Sequence, residues 1–226
     1  MESLFVIYRE VWAVDFEFAP DDNLLPKPVC LVARELKSGR EVRLWREQFG
    51  DQPPYSTRAD GLFFAYYASA QIGCHLALGW PVPQRILDLF CEFRRATNGL
   101  ALSVGNGLLG ALTHHGLDSL GASEKEEMRD LILSGGPWSD DQRHAILDYC
   151  ASDVDALARL LVDIDATKDH GVPGLELFQK MTNAVTWRCG VGRSGIDSSF
   201  LPLPPVGPFG PPPCGAASIV VDQRVA

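Results

Sequence analysis

The chain has 226 residues, 46% of them hydrophobic and 22% charged, with a formal net charge of −9. That length and balance suit one substantial α/β domain with a core, or a domain plus an appendage, and no stretch approaches the roughly 18 consecutive apolar residues of a membrane span. The acidic balance argues against tight nonspecific binding to a phosphate backbone, which needs Lys and Arg, but leaves room for a carboxylate site that divalent cations fill.

The first segment, LFVIY, reads as sheet, and WAVDFEF alternates as a strand. The N-terminus lacks a basic region and a small-residue cleavage site, so a signal peptide is not expected and the cytoplasm is. PVCLVAREL and EVRLWRE are two further runs, and Ser38-Gly39 between them signals a hairpin. DGLFFAYYASAQIGCHLALGW reads as a short strand and a helix that ends at Gly79, punctuated by Pro81 and Pro83. RILDLFCEFRR suits strand or helix. From Leu100 to Leu161 the pattern is helical. GNGLLGALTHHG closes at Gly116, and SEKEEMRDLILSGG takes Ser123 as its cap. SDDQRHAILDYCASDVDALARLLVDID opens with Ser139 and Gln142 in capping-box spacing. Its apolar stripe runs Ile146, Cys150, Val154, Leu157, Leu161. Half of the 16 prolines lie beyond residue 166, so 1–165 reads as the domain and 166–226 as a Pro/Gly-rich tail without a packed core.

Six cysteines stand at 30, 74, 91, 150, 189 and 214 without a CxxC pair, which argues against zinc. The first four sit in apolar runs and read as buried free thiols of a reducing compartment. His114-His115 diverge on a helix and read as a helix-end feature rather than a ligand pair.

The chemistry sits in two short motifs. On a strand, Trp12, Val14, Phe16 and Phe18 share one face, while Asp15 and Glu17 share the other, about 7 Å apart. Like charges so placed repel, and a divalent cation makes the arrangement favourable. A solvated acidic face on an edge strand explains the pair equally simply. On the last helix, Tyr149 and Asp153 lie one turn apart on one face, whereas Asp148 points elsewhere and Asp155 faces solvent. An amphipathic helix with a boundary tyrosine would look the same.

Taken together, an acidic pair on the first core strand, a hairpin, and a late helix with Y-x-x-x-D resemble the Tyr-containing branch of the DnaQ-like (DEDD) 3′–5′ exonucleases. The likeness is to the exonuclease domains of bacterial and phage polymerase-I-like proteins, and covers roughly residues 3–162. AYYASAQIGCHLALGWPVPQRILDLFCEFR, GLDSLGASEKEEMRDLILSGGPWSDDQRHAILDYC and ASDVDALARLL carry it. The resemblance implies an RNase H-like mixed sheet flanked by helices, two divalent ions (Mg²⁺ or Mn²⁺), and a single-stranded DNA 3′ end as substrate, with an RNase D-like action on RNA as an alternative. Asp15 and Glu17 match the first motif, Tyr149 and Asp153 the third. Asp15, Glu17 and Asp153 would hold one ion, and Tyr149 would orient water. Where the second motif has its carboxylate, this chain has Gln71, and Asp88 is the other candidate to supply it. Gln71 favours a nucleic-acid-binding module with a lapsed site. Phe16, Phe18 and Tyr67 are candidate base-stacking residues, and Arg34, Arg40, Arg43 and Arg46 are candidate phosphate contacts or a solvated strand face. The tail departs from the family soon after Leu161, as in a truncated or frame-shifted product or an exonuclease-only paralogue.

Overall fold

The computed structural model describes residues 4–19, 25–117 and 122–167. In chain order the elements are α1 (Leu4–Ile7), β1 (Glu10–Ala19), β2 (Lys27–Glu35), β3 (Glu41–Trp45), β4 (Gly61–Ala65), α2 (Ala68–Ala77), β5 (Ile86–Asp88), α3 (Leu89–Ala96), α4 (Leu108–His114), α5 (Ala122–Leu133) and α6 (Asp140–Thr167). The five strands form one sheet in the order β3-β2-β1-β4-β5. β1 is antiparallel to β2 and parallel to β4, and β4 is parallel to β5. This is a mixed α/β sheet with helices on both faces, and β1 lies at its centre.

Alternation along β1 divides the core. Trp12, Val14 and Phe16 pack with Phe63, Cys74 and Trp80 on the α2 side. Val11 and Ala13 pack with Ile146, Val154 and Leu157 on the α6 side. The stripe expected on α6 is buried throughout: Ile146, Cys150, Val154, Leu157 and Leu161 are all at most 1% exposed. The hairpin forms as expected, with Gly39 at φ 74° in its turn. RILDLFCEFRR is both of its readings in succession, β5 and then α3.

Three expectations change. LFVIY is not sheet: Leu4–Ile7 make one helical turn, with the Tyr8 N–H donating to the Leu4 carbonyl at 3.1 Å. Five apolar residues carry no usable period: Leu4 and Tyr8 enter the core while Val6 and Ile7 are exposed. α5 begins at Ala122, so Ser123 lies inside its first turn rather than at its cap. Cys91 is exposed, unlike buried Cys30, Cys74 and Cys150. The expected tail, with Cys189 and Cys214, lies outside the described residues, whose last helix ends at Thr167.

The capping box of α6 is present in both directions. The Gln142 N–H donates to Ser139 Oγ at 3.2 Å, and the Ser139 N–H donates to Gln142 Oε1 at 2.9 Å. Substituting Ser139→Ala removes one of these bonds and should cost about 1 kcal/mol, read as a drop of roughly 2–4 °C in melting temperature. No change would show that packing alone sets the start of the helix.

Candidate active site

The site grows from a gap in the sheet. β4 pairs with β1 only as far as Ala13, and the chain then leaves through Tyr67, which sits at φ 65°, into α2. Beyond the gap, the Phe16 N–H has no strand partner on that side. Gln71 of α2 fills the place: its Oε1 accepts the Phe16 N–H at 2.9 Å. A backbone N–H can only donate, so this bond decides which way the amide faces. The Nε2 end therefore points at Asp15 and donates to its Oδ1 at 2.9 Å. Gln71 is 4% exposed, and it offers the carboxylate an N–H rather than an oxygen ligand.

Asp15 and Glu17 face α6. The registers Asp15↔Val32 and Glu17↔Cys30 put both on the inner strand β1, with an irregularity between Glu17 and Phe18 that locally re-aims the chain. The solvated edge-strand explanation of the pair is thereby excluded. Carboxylate oxygens of Asp15 and Glu17 lie with Cys150 Sγ within 4.8 Å of one another. Cys150 Sγ donates toward Asp15 Oδ2 at 3.5 Å and its carbonyl at 3.4 Å. On the sequence it was only a member of the apolar stripe.

The electrostatics follow from burying like charges. Burial first, and the Asp153 charge second, push Asp15 up to about 7, against smaller relief from Cys150, Lys125 and Gln71. Glu17 is raised well above the carboxylate range by burial and then by Asp15. Tyr149 is half-buried, and burial, then the charges of Asp153 and Glu17, raise its hydroxyl far above its usual value. It is a neutral phenol, a donor and not a base. Asp153 accepts from Lys125 Nζ of α5 at 2.7 Å, and the same ammonium lies 5.7 Å from the Tyr149 ring centroid. Lys125 carried no sequence signal, since 28 residues separate it from Asp153.

The other candidates have other occupations. Asp88 caps α3 and ties it to α2. Its Oδ1 accepts from the N–H groups of Tyr67, Phe90 and Cys91, and its Oδ2 from Ala68. Phe16 is 2% exposed and sits among Phe49, His75 and Trp80, so it has no face for a base. Phe18 packs partly buried against the same cluster, and Tyr67 stacks on Phe90 at 4.1 Å. The arginines are engaged within the fold. Arg34 pairs with Glu41 and Asp155, and Arg43 with Glu41 and Asp148. Arg40 lies over Trp12, and Arg46 over Trp138. His115 pairs with Asp163 at the end of α4. A cavity of about 910 Å³ has Lys125, Asp153, Arg159, Phe5 and Leu36 among its lining residues. No helix among the described residues is long and apolar enough to cross a membrane.

The domain is similar to the crystal structure of Escherichia coli RNase D, described as an exoribonuclease involved in structured RNA processing. The TM-score is 0.50 and the identity 17%, over 79% of this chain and 44% of that chain. This chain thus spans less than half of that protein. No family model matches it, nor does a curated protein. At this identity the likeness is one of fold: the chain has the RNase H-like architecture of that exonuclease.

The raised Asp15 has a consequence for stability. Folding strengthens its hold on the proton, so its contribution is full below the unfolded value of 3.8 and is lost as pH rises through about 7. In EDTA, wild type should therefore lose melting temperature relative to Asp15→Asn between about pH 4 and about pH 7. A difference between the two that stays flat across that window would contradict the assignment.

Proposed function

We propose that this chain is a metal-dependent 3′–5′ exonuclease that hydrolyses phosphodiester bonds at the 3′ end of a single-stranded nucleic acid. The observation that carries the reading is the Asp15–Glu17 pair on the central strand, held against the helix that bears Tyr149 and Asp153. The sequence resemblance favours DNA as substrate. The fold likeness to RNase D supports RNA as a second reading, and residues 1–165 are the proposed catalytic unit.

The residues suit a divalent cation at one position. Two half-buried carboxylates, both raised first by desolvation and then by the charge of a neighbouring acid, present the hard oxygen donors that Mg²⁺ or Mn²⁺ prefers. A bound ion supplies positive charge to the phosphate and acidity to water. The remaining work belongs to the chain. Gln71 Nε2 holds Asp15 Oδ1 in place. Tyr149 keeps its proton, so its hydroxyl orients water or a phosphate oxygen by donating a hydrogen bond. Asp88 keeps β5, α2 and α3 registered through its backbone bonds and takes no part as a ligand. The Gln71 amide, which turns its N–H to Asp15, supports a weakened site compared with one carrying a carboxylate there.

The test uses 3′-labelled and 5′-labelled single-stranded DNA and RNA with Mg²⁺, Mn²⁺ or EDTA. Stepwise shortening from the 3′ end is expected with either ion and lost in EDTA. Asp15→Ala should lower the rate by at least about a hundredfold, and Gln71→Glu should raise it. Cleavage that persists in EDTA or in Asp15→Ala would overturn the assignment of the site.

A further inference from the structure

We propose that Lys125 is the resident cation of this site, pairing with Asp153 and so taking it out of metal ligation, and that the centre takes a single ion between Asp15 and Glu17. This rests on the metal-site reading above and departs from the two ions that the sequence resemblance implies.

The first observation is the ion pair itself. Lys125 Nζ meets Asp153 Oδ1 at 2.7 Å, with the two side chains only 20% and 17% exposed. An ammonium withdrawn that far from water is costly unless a carboxylate accepts it. It also lies over the ring of Tyr149, so one cation engages both Tyr149 and Asp153 of α6. Lys125 comes from α5, a separate element.

The second observation is the amide. A second ion beside Asp15 needs another oxygen donor, and the position that would supply it presents Gln71 Nε2 instead. The orientation is not adjustable without stranding the Phe16 N–H, whose acceptor is the other end of the same amide. Asp88 is not an alternative, since both of its oxygens are taken by backbone N–H groups.

A second ion at Asp153 would have to displace Lys125, whose Nζ already meets Asp153 Oδ1 at 2.7 Å.

The experiment uses the full chain, freed of metal by chelator and dialysis, and titrated with Mn²⁺ while the free-ion EPR signal is read. Wild type is expected to saturate at one Mn²⁺ per chain, and Lys125→Arg likewise. Lys125→Gln removes the charge but leaves Asp153 a donor, and should bind its first Mn²⁺ about tenfold tighter. Combining it with Gln71→Glu should bring a second bound ion. Melting curves without Mn²⁺ check that each variant is folded, and Lys125→Met serves if Lys125→Gln is not. Two ions bound by wild type would overturn the proposal, as would unchanged affinity in Lys125→Gln with one ion in the double variant. Asp15→Asn separates the two levels: if it binds Mn²⁺ as wild type does, the metal-site reading itself fails.

Discussion

Two carboxylates, Asp15 and Glu17, are held side by side on the inner strand of the sheet and under a helix. Removing like charges from water in this way is unfavourable unless something positive meets them. Much around the site answers to that constraint. Cys150 turns its thiol to Asp15, Gln71 turns its amide N–H to it, and Lys125 crosses from α5 to Asp153. These contacts offset only part of the cost of burial, so both carboxylates remain raised. A cation bound between them would favour their charged form.

The backbone makes the arrangement rigid. Because β4 stops short of Phe16, one N–H of the central strand needs a side-chain acceptor, and Gln71 supplies it. A single amide therefore completes the sheet and orients Asp15. Glutamine does both with one geometry, because its oxygen and nitrogen ends are different partners. Asp88 plays the comparable part at the next strand, where its carboxylate gathers four N–H groups from the starts of α2 and α3. The two residues that compete on paper for one role thus divide into a site residue and a framework residue.

Much of the framework was legible from spacing. The D-x-E alternation put Asp15 and Glu17 on one face, the Ser139–Gln142 pair marked the start of α6, and the stripe from Ile146 to Leu161 named its buried side. These are properties of neighbours within a turn or a pleat. LFVIY failed because its period is too short to read, and Cys91 because an apolar run does not say which side of a short helix faces water. Phe16 was legible as an apolar strand residue but not as one enclosed by Phe49 and Trp80.

Local pattern therefore settled most of the elements, the buried side of α6, and that Asp15 with Glu17 and Tyr149 with Asp153 form two coherent pairs. Assembly decided the rest: that β1 is central rather than an edge, that the pairs face each other, and that Gln71 offers a proton instead of a lone pair. It also brought Lys125 and Cys150 to the carboxylates. The reason is the range of the forces involved. Periodicity encodes contacts a few residues apart, whereas the charge balance of a buried site is set by whichever side chains the fold draws together from distant parts of the chain.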